Sequence, residues 1–183
     1  MQTRMINIEL ISQDRFDDVF AIMEKSFPPD EMRPYSEQRT LLSNERYKVF
    51  AAFEYGKMIA FAATWQFEKV LFLEHLATDS AMRGKGIGAK ILAYLTSDEC
   101  RTVCLEAEPP ESEITRRRIA FYNRNGFYLN EYPYIQPPIS KGRNTVPLMI
   151  MTHGRKIDKE EFVKVRDLLY REVYKADKTE FVL

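Results

Sequence analysis

The stretch Arg83-Gly84-Lys85-Gly86-Ile87-Gly88 is where residue type and spacing point most directly to chemistry in this 183-residue chain. Three glycines at alternate positions let the backbone come close to a ligand without side-chain clash. Where a helix begins at such a turn, its free N–H groups and its dipole favour an anion. Arg83 and Lys85 add positive charge at the same place. The natural guest is a phosphate or pyrophosphate. A Walker A loop fails here, because its second glycine would fall on Ala89. A dinucleotide fingerprint is the nearer rival: Gly84-x-Gly86-x-x-Ala89 satisfies GxGxxA, and Glu106 ends the next strand. Against it, the five residues Asp79 to Arg83 separate the strand from the first glycine, and further βαβ units are lacking. The two cysteines, Cys100 and Cys104, are not spaced CxxC, and no histidine pair completes a zinc set. They read as reduced cysteines in or near the core, and no metal is expected.

The elements that must position this turn follow from periodicity. Ile6 to Ile11 reads as a strand. Asp14 to Phe27 carries Phe16, Val19, Phe20 and Met23 at helical spacing until Pro28-Pro29 stops it. Ser36 to Asn44 is a weaker helix. Lys48 to Glu54 and Met58 to Phe67 form a hairpin through Tyr55-Gly56-Lys57. Leu71 to Thr78 is a strand, Gly84 to Thr96 a helix, and Thr102 to Ala107 a strand. That order predicts a parallel pair with a crossover helix. Glu113 to Asn125 is the next helix, with Ser112 as its N-cap and Gly126 as its left-handed terminator. Phe127 to Ile135 and Val146 to Thr152 read as closing strands. Glu160 to Tyr174 is a final amphipathic helix, with Phe162, Val165, Leu169 and Val173 on one face. The fold class is therefore α/β with a mixed sheet, in a single domain spanning 1–183.

Bulk composition bounds the partners. Lys+Arg and Asp+Glu both number 27, and 45% of residues are hydrophobic. Zero net charge argues against broad attraction to nucleic acid or an anionic membrane. The N-terminus lacks a secretory apolar core, and Met58 to Phe67 is too short to span a bilayer. A cytoplasmic location is expected, and a homodimer is compatible with the sequence.

Two motifs carry a resemblance. Leu73 to Thr78 followed by Arg83-Gly84-Lys85-Gly86-Ile87-Gly88 is similar to the acetyl-CoA motif of the GCN5-related N-acetyltransferase (GNAT) family. Its pattern [QR]-x-x-G-x-[GA] is met by Arg83, Gly86 and Gly88. Ala120-Phe121-Tyr122-Asn123-Arg124-Asn125-Gly126-Phe127 resembles the family's second hallmark, a helix carrying Ala-x-Tyr and ending in Gly-Phe. The recognised part covers roughly Met58 to Phe127. It implies a mostly antiparallel sheet with a splayed parallel strand pair flanked by helices. The pantetheine arm of acetyl-CoA would lie in the splay against Leu76, Ala77 and Thr78. Its pyrophosphate would meet the amides of Arg83, Gly84, Lys85, Gly86, Ile87 and Gly88.

The implied reaction is attack of an amine on a thioester. The amine must be neutral, yet a free lysine-like amine has a pKa of ~10.4. A general base removes the proton, a proton donor assists the leaving thiolate, and backbone N–H groups can hold the oxyanion. Strand alternation puts Cys104 and Glu106 opposite Val103 and Leu105, so Glu106 is expected in a polar position near the strand end. Its place resembles that of the catalytic Glu in ribosomal-protein N-terminal acetyltransferases. Glu74 on the neighbouring strand is the second candidate base. Tyr122 is the candidate acid, with a core aromatic as its alternative. His75 reads as a structural histidine. A nucleophilic Cys104 would imply an acyl-enzyme, and nothing nearby suggests the base it would need. Thr115 stands where many relatives place Asn, and Glu108-Pro109-Pro110-Glu111 lengthens the connection after Glu106. Arg116-Arg117-Arg118 reads as a solvated helix face or a contact to the CoA 3′-phosphate.

On the acceptor side, the loop from Phe27 to Arg33 and Tyr132-Pro133-Tyr134 correspond to regions that line the mouth in the family. Glu31, Tyr132 and Tyr134 are the substrate-binding candidates. Glu31, Glu74, Glu106 and Glu108 suit a cationic amine. Small amines, amino acids, amino sugars and peptide N-termini remain open. A non-catalytic acyl-CoA-binding or sensing module is the second reading, and a Rossmann-type dinucleotide-binding protein the third.

Overall fold

The computed structural model describes residues 6–97 and 100–177. Strands β1 (Asn7–Leu10), β2 (Tyr47–Glu54), β3 (Lys57–Gln66), β4 (Val70–Thr78) and β5 (Thr102–Ala107) are followed by the short β6 (Phe127–Leu129), β7 (Ile135–Gln136), β8 (Val146–Pro147) and β9 (Met149–His153). The helices are α1 (Phe16–Glu24), α2 (Tyr35–Thr40), α3 (Ile87–Leu95), α4 (Glu113–Arg124) and α5 (Lys159–Leu169). Seven strands form one sheet in the order β1-β2-β3-β4-β5-β9-β6, and β7 pairs with β8 in a separate ribbon. Every pairing is antiparallel except β4 with β5. That parallel pair is joined through α3, as a crossover requires.

Two irregularities shape the centre of the sheet. The β4–β5 pairing runs from Val70↔Thr102 to Leu73↔Leu105 and goes no further. On the other side of β4, Ala63 faces His75 while Thr64 faces Leu73, so Glu74 is an extra residue in the strand. A bulge of this kind bends its strand and increases local twist. Beyond it Leu76, Ala77 and Thr78 pair with β3, while Glu106 and Ala107 pair with β9. The two parallel strands therefore part at their C-terminal ends, which is the splay expected above.

Alternation sorts the core onto two faces. Phe61, Phe72, Cys104 and Ile150 join Phe16 and Val19 of α1 and Phe162 and Leu169 of α5. Leu71, Leu73, Val103 and Leu105 join Ile87, Ile91 and Leu92 of α3 and Ile119 and Tyr122 of α4. No described helix is long and apolar enough to cross a membrane.

The structure differs from the periodicity at several ends. A 3-10 turn, Gln13–Arg15, precedes α1, and Ser26 Oγ donates to the Ile22 carbonyl at 2.7 Å just beyond its end. After α2 the chain tightens into the 3-10 turn Leu41–Ser43. The expected strand Phe127 to Ile135 breaks after Leu129. There Asn130 turns its side chain into the sheet: Nδ2 donates to the Ile150 carbonyl and to Thr152 Oγ1, both at 3.0 Å, and Oδ1 accepts from Ile157 N at 2.9 Å. The expected strand Val146 to Thr152 likewise divides into β8 and β9. Finally, α5 gives way to a π-helical turn, Tyr170–Tyr174, whose Tyr170, Val173 and Tyr174 are buried.

Candidate active site

The glycine-rich turn closes the β4-to-α3 connection. Asp79 Oδ1 accepts from Ala81 N at 2.9 Å and caps the 3-10 turn Ser80–Met82. Gly84 and Gly86 then take φ of 76° and 75°, a left-handed conformation that costs a side-chain-bearing residue roughly 1–2 kcal/mol. Gly86 is the N-cap of α3 and offers no side-chain acceptor, so the first-turn amides remain available to an anion. A Cβ on Gly88 would sit 3.2 Å from Phe121 Cζ, so glycine lets α3 approach α4 closely. Ile87 is buried and anchors the helix in the core. Lys85 Nζ folds back on its own loop, donating to the Ala81 carbonyl at 3.1 Å and lying 3.4 Å from Met82 Sδ.

The parting of β4 and β5 opens a cleft of about 760 Å³. It gathers most of the residues singled out in the sequence: Leu76, Ala77 and Thr78, Arg83, Gly84 and Gly88, the carboxylates Glu31, Glu74 and Glu106, and Tyr122. Tyr132 and Tyr134 do not line it. Tyr132 packs on Phe162 with ring centroids 4.9 Å apart and donates to the Ile157 carbonyl at 3.4 Å. Tyr134 lies behind the cleft wall, where its hydroxyl donates to Glu106 Oε1.

The two candidate bases differ sharply in surroundings. Glu74 Oε1 accepts from Arg33 Nη1 at 2.9 Å, and both side chains are almost wholly buried. Burial alone would raise the Glu74 pKa, but the Arg33 guanidinium and the His75 ring outweigh it and hold the carboxyl at about 2. His75 Nε2 is 2.7 Å from the Glu31 carbonyl, which can only accept, so this nitrogen carries the hydrogen. His75 Nδ1 then faces Glu74 Oε2 at 3.4 Å. The histidine is thus a buried member of a charged cluster, in keeping with its structural reading.

Glu106 has no cationic partner hydrogen-bonded to it among the described residues. Glu106 is partly buried and lines the cleft beside two tyrosine hydroxyls, while Cys104 on the same face lies in the core. Burial pushes its pKa up to about 7 against two phenol donors, Tyr134 and Tyr174. Tyr174 Oη donates to Oε2 at 2.6 Å. Burial also pushes Tyr122 up to about 12. Glu31 is raised by burial and by the charge of Glu108. Cys104 is fully buried and its thiol is raised by burial, which leaves it without nucleophilic character.

Thr115 takes a different part here. Its backbone N–H donates to Ser112 Oγ at 3.1 Å, while its hydroxyl accepts from Ser112 N at 3.0 Å. It closes a capping box at the start of α4. Of the arginine run, Arg117 and Arg118 line the cleft, and Arg118 pairs with Glu108 at its mouth. Sequence reasoning passed over Arg33 and Tyr174. Arg33 stood at the end of a loop read as lining the acceptor mouth, and Tyr174 stood at the end of an apolar stripe.

The Acetyltransferase (GNAT) domain model matches residues 45–129. A Bacteroides thetaiotaomicron protein described as an acetyltransferase from the GNAT family is 30% identical. The similarity covers 93% of this chain and 99% of that one, at a TM-score of 0.83. The chain belongs to the GNAT family. The Bacillus subtilis (strain 168) protein described as the acetyltransferase YjbC is 30% identical over 109 residues, 57% of this chain. That match spans 54% of the relative's length. Arabidopsis thaliana Naa50, solved in complex with the bisubstrate analogue CoA-Ac-MVNAL, shares the GNAT fold at 13% identity. Its TM-score is 0.61, over 80% of this chain and 97% of that one.

Proposed function

We propose that this chain transfers an acetyl group from acetyl-CoA directly to a primary amine, with Glu106 as general base and Tyr122 as the proton donor to the leaving thiolate. The observation that carries this reading is the contrast between the two cleft carboxylates. A general base works best with a pKa near the operating pH. Glu106 accepts from two neutral phenols and burial raises it toward neutrality, whereas Glu74 is committed to the buried Arg33 at 2.9 Å and is held well below the usual carboxylate range.

Acetyl-CoA is the first substrate. The left-handed glycines and uncapped amides of α3 suit its pyrophosphate. The gap beside Leu76, Ala77 and Thr78 suits the pantetheine arm, with unpaired strand edges on both sides. Glu106 takes a proton from the ammonium form of the acceptor, directly or through water. The freed nitrogen lone pair attacks the thioester carbonyl carbon, and the tetrahedral adduct collapses with cleavage of the C–S bond. As the C–S bond breaks, the departing sulfur takes the Tyr122 hydroxyl proton, the adduct nitrogen gives up its second proton to water, which restores the phenol, and Glu106 returns its proton to solvent. Glu31 and Glu106 make the acceptor side acidic and favour a cationic amine, whether a small amine, an amino acid or sugar, or a peptide N-terminus. A non-catalytic acyl-CoA-binding module has no use for a near-neutral carboxyl and a tyrosine in one cleft.

The test is a pair of near-isosteric variants. Glu106→Gln and Tyr122→Phe should each lose ~10²–10⁴-fold in turnover while acetyl-CoA affinity, read by calorimetry, stays close to wild type. The Glu106→Gln defect should shrink at alkaline pH as neutral amine becomes abundant. If Glu106→Gln keeps its rate and Glu74→Gln is inactive, the base belongs on β4.

A further inference from the structure

Glu106 is held by residues far away in the chain. Tyr134 donates to Oε1 and Tyr174 donates to Oε2, so each carboxylate oxygen accepts one phenol. A carboxylate has about four lone-pair sites. Two donors on different oxygens fix its plane and leave a site on each oxygen for an incoming proton. Both phenols are themselves fixed. Tyr134 packs on Tyr170 with centroids 5.7 Å apart. Tyr170 Oη donates to the Ile135 carbonyl at 2.6 Å, tying the π-helical turn to the stretch that bears Tyr134. The same turn offers the Val173 carbonyl to Arg33 Nη2 at 3.4 Å, so it also braces the partner of Glu74. π turns inside helices occur frequently at functional sites.

We propose that Tyr134 and Tyr174 are positioning residues that aim Glu106 and set how readily it takes a proton, with the π-helical turn after α5 as the device that delivers Tyr174. This rests on the reading of Glu106 as the base. Desolvation favours the neutral acid, and donors to the ionised form oppose it. The two phenols therefore keep a partly buried carboxyl usable at neutral pH. Other groups face or neighbour Glu106 as well. β4 contributes Glu74 and His75, with Arg33 beyond them. β5 itself contributes Cys104, and the π turn contributes Tyr170. Glu31, Glu108, Arg118 and Tyr122 share the cleft, and β9 sets Ile150 opposite. Among these groups, Tyr134 and Tyr174 are hydrogen-bonded to the carboxylate.

The titration itself needs no acceptor, and the rate measurements use an amine that the chain acetylates. The full chain is labelled with [¹³Cδ]glutamate and titrated by NMR, and the resonance lost in Glu106→Gln identifies Glu106. Tyr174→Phe and Tyr134→Phe should each raise its titration midpoint by about one pH unit, and 3-fluorotyrosine, a stronger donor, should lower it. The acidic limb of the rate profile should move with the midpoint, and rate should recover at alkaline pH. A merely structural role would lower the melting temperature and leave the midpoint in place. An unmoved midpoint in folded Phe variants and in the fluorotyrosine protein overturns the proposal. If that happens while Glu106→Gln is inactive, the base reading stands alone. If Glu106→Gln keeps full turnover, the base reading falls and the positioning role falls with it.

Discussion

Replacing Glu106 by Gln removes one proton-binding group and almost no volume, and its effect on folding should depend on pH. The ordinary value for this carboxyl is 4.5 and the folded protein holds it at about 7. The folded state therefore binds the proton more tightly than the unfolded chain. Between those two values Glu106 costs stability progressively as pH rises, and below both it costs nothing. The gap, 7 − 4.5, is about 2.5 pH units, or ~3 kcal/mol at 1.36 kcal/mol per unit. Gln is neutral throughout and escapes this cost. Any loss of hydrogen bonding from the substitution is common to both ends of the range and largely cancels in the comparison. Glu106→Gln should therefore gain ~2–3 kcal/mol relative to wild type on going from pH 5 to pH 8. Urea denaturation of both proteins at the two pH values measures this directly. A difference that stays flat, or that favours wild type at pH 8, would refute the claim that Glu106 is a desolvated carboxyl with a raised pKa.

Glu74→Gln should behave in the opposite sense, destabilising the fold by about 3–5 kcal/mol at pH 7 because it strands the buried Arg33 charge. Since Glu74 is held at about 2, its contribution is present above its ordinary value and fades as pH falls toward 2, which a stability-versus-pH series would show. Gly86→Val forces a β-branched residue into a φ of 75° at the head of α3. If the turn relaxes away from this conformation, restoring it on binding costs roughly 1–2 kcal/mol and weakens acetyl-CoA binding by about tenfold, while circular dichroism remains native. Calorimetric binding unchanged from wild type would remove the turn from the site.

Much of this site was legible because it is local. The glycine turn, the helix it opens and the flanking parallel strands all lie within Leu71 to Ala107, and hydrophobic period resolves each one. The splay was legible through the family resemblance, but its physical origin was not. Period-two alternation assumes an unbroken strand, and the extra residue at Glu74 interrupts it. Glu74 accordingly stood as the second candidate base until its pairing with Arg33, 41 residues away, was seen. Tyr134 and Tyr174 lie 28 and 68 residues from Glu106, and no pattern along the chain reports a contact of that span. The closing strands were overextended for a similar reason. Tyr128 to Tyr134 is rich in strand formers, but Asn130 bonds to β9 through its side chain, and Pro133 has no N–H to offer a ladder.

The most direct test of the central claim is to incubate the purified chain with acetyl-CoA and a mixed panel of primary amines, following CoA release and identifying products by mass. The account predicts CoA release that depends on an amine, a matching N-acetylated product, no added metal, and no acetyl group left on the protein, Cys104 included. Acetyl-CoA that binds without any acetylated amine across the panel, a stable acetyl adduct on Cys104, or thermal stabilisation by NADH but not by CoA would contradict it.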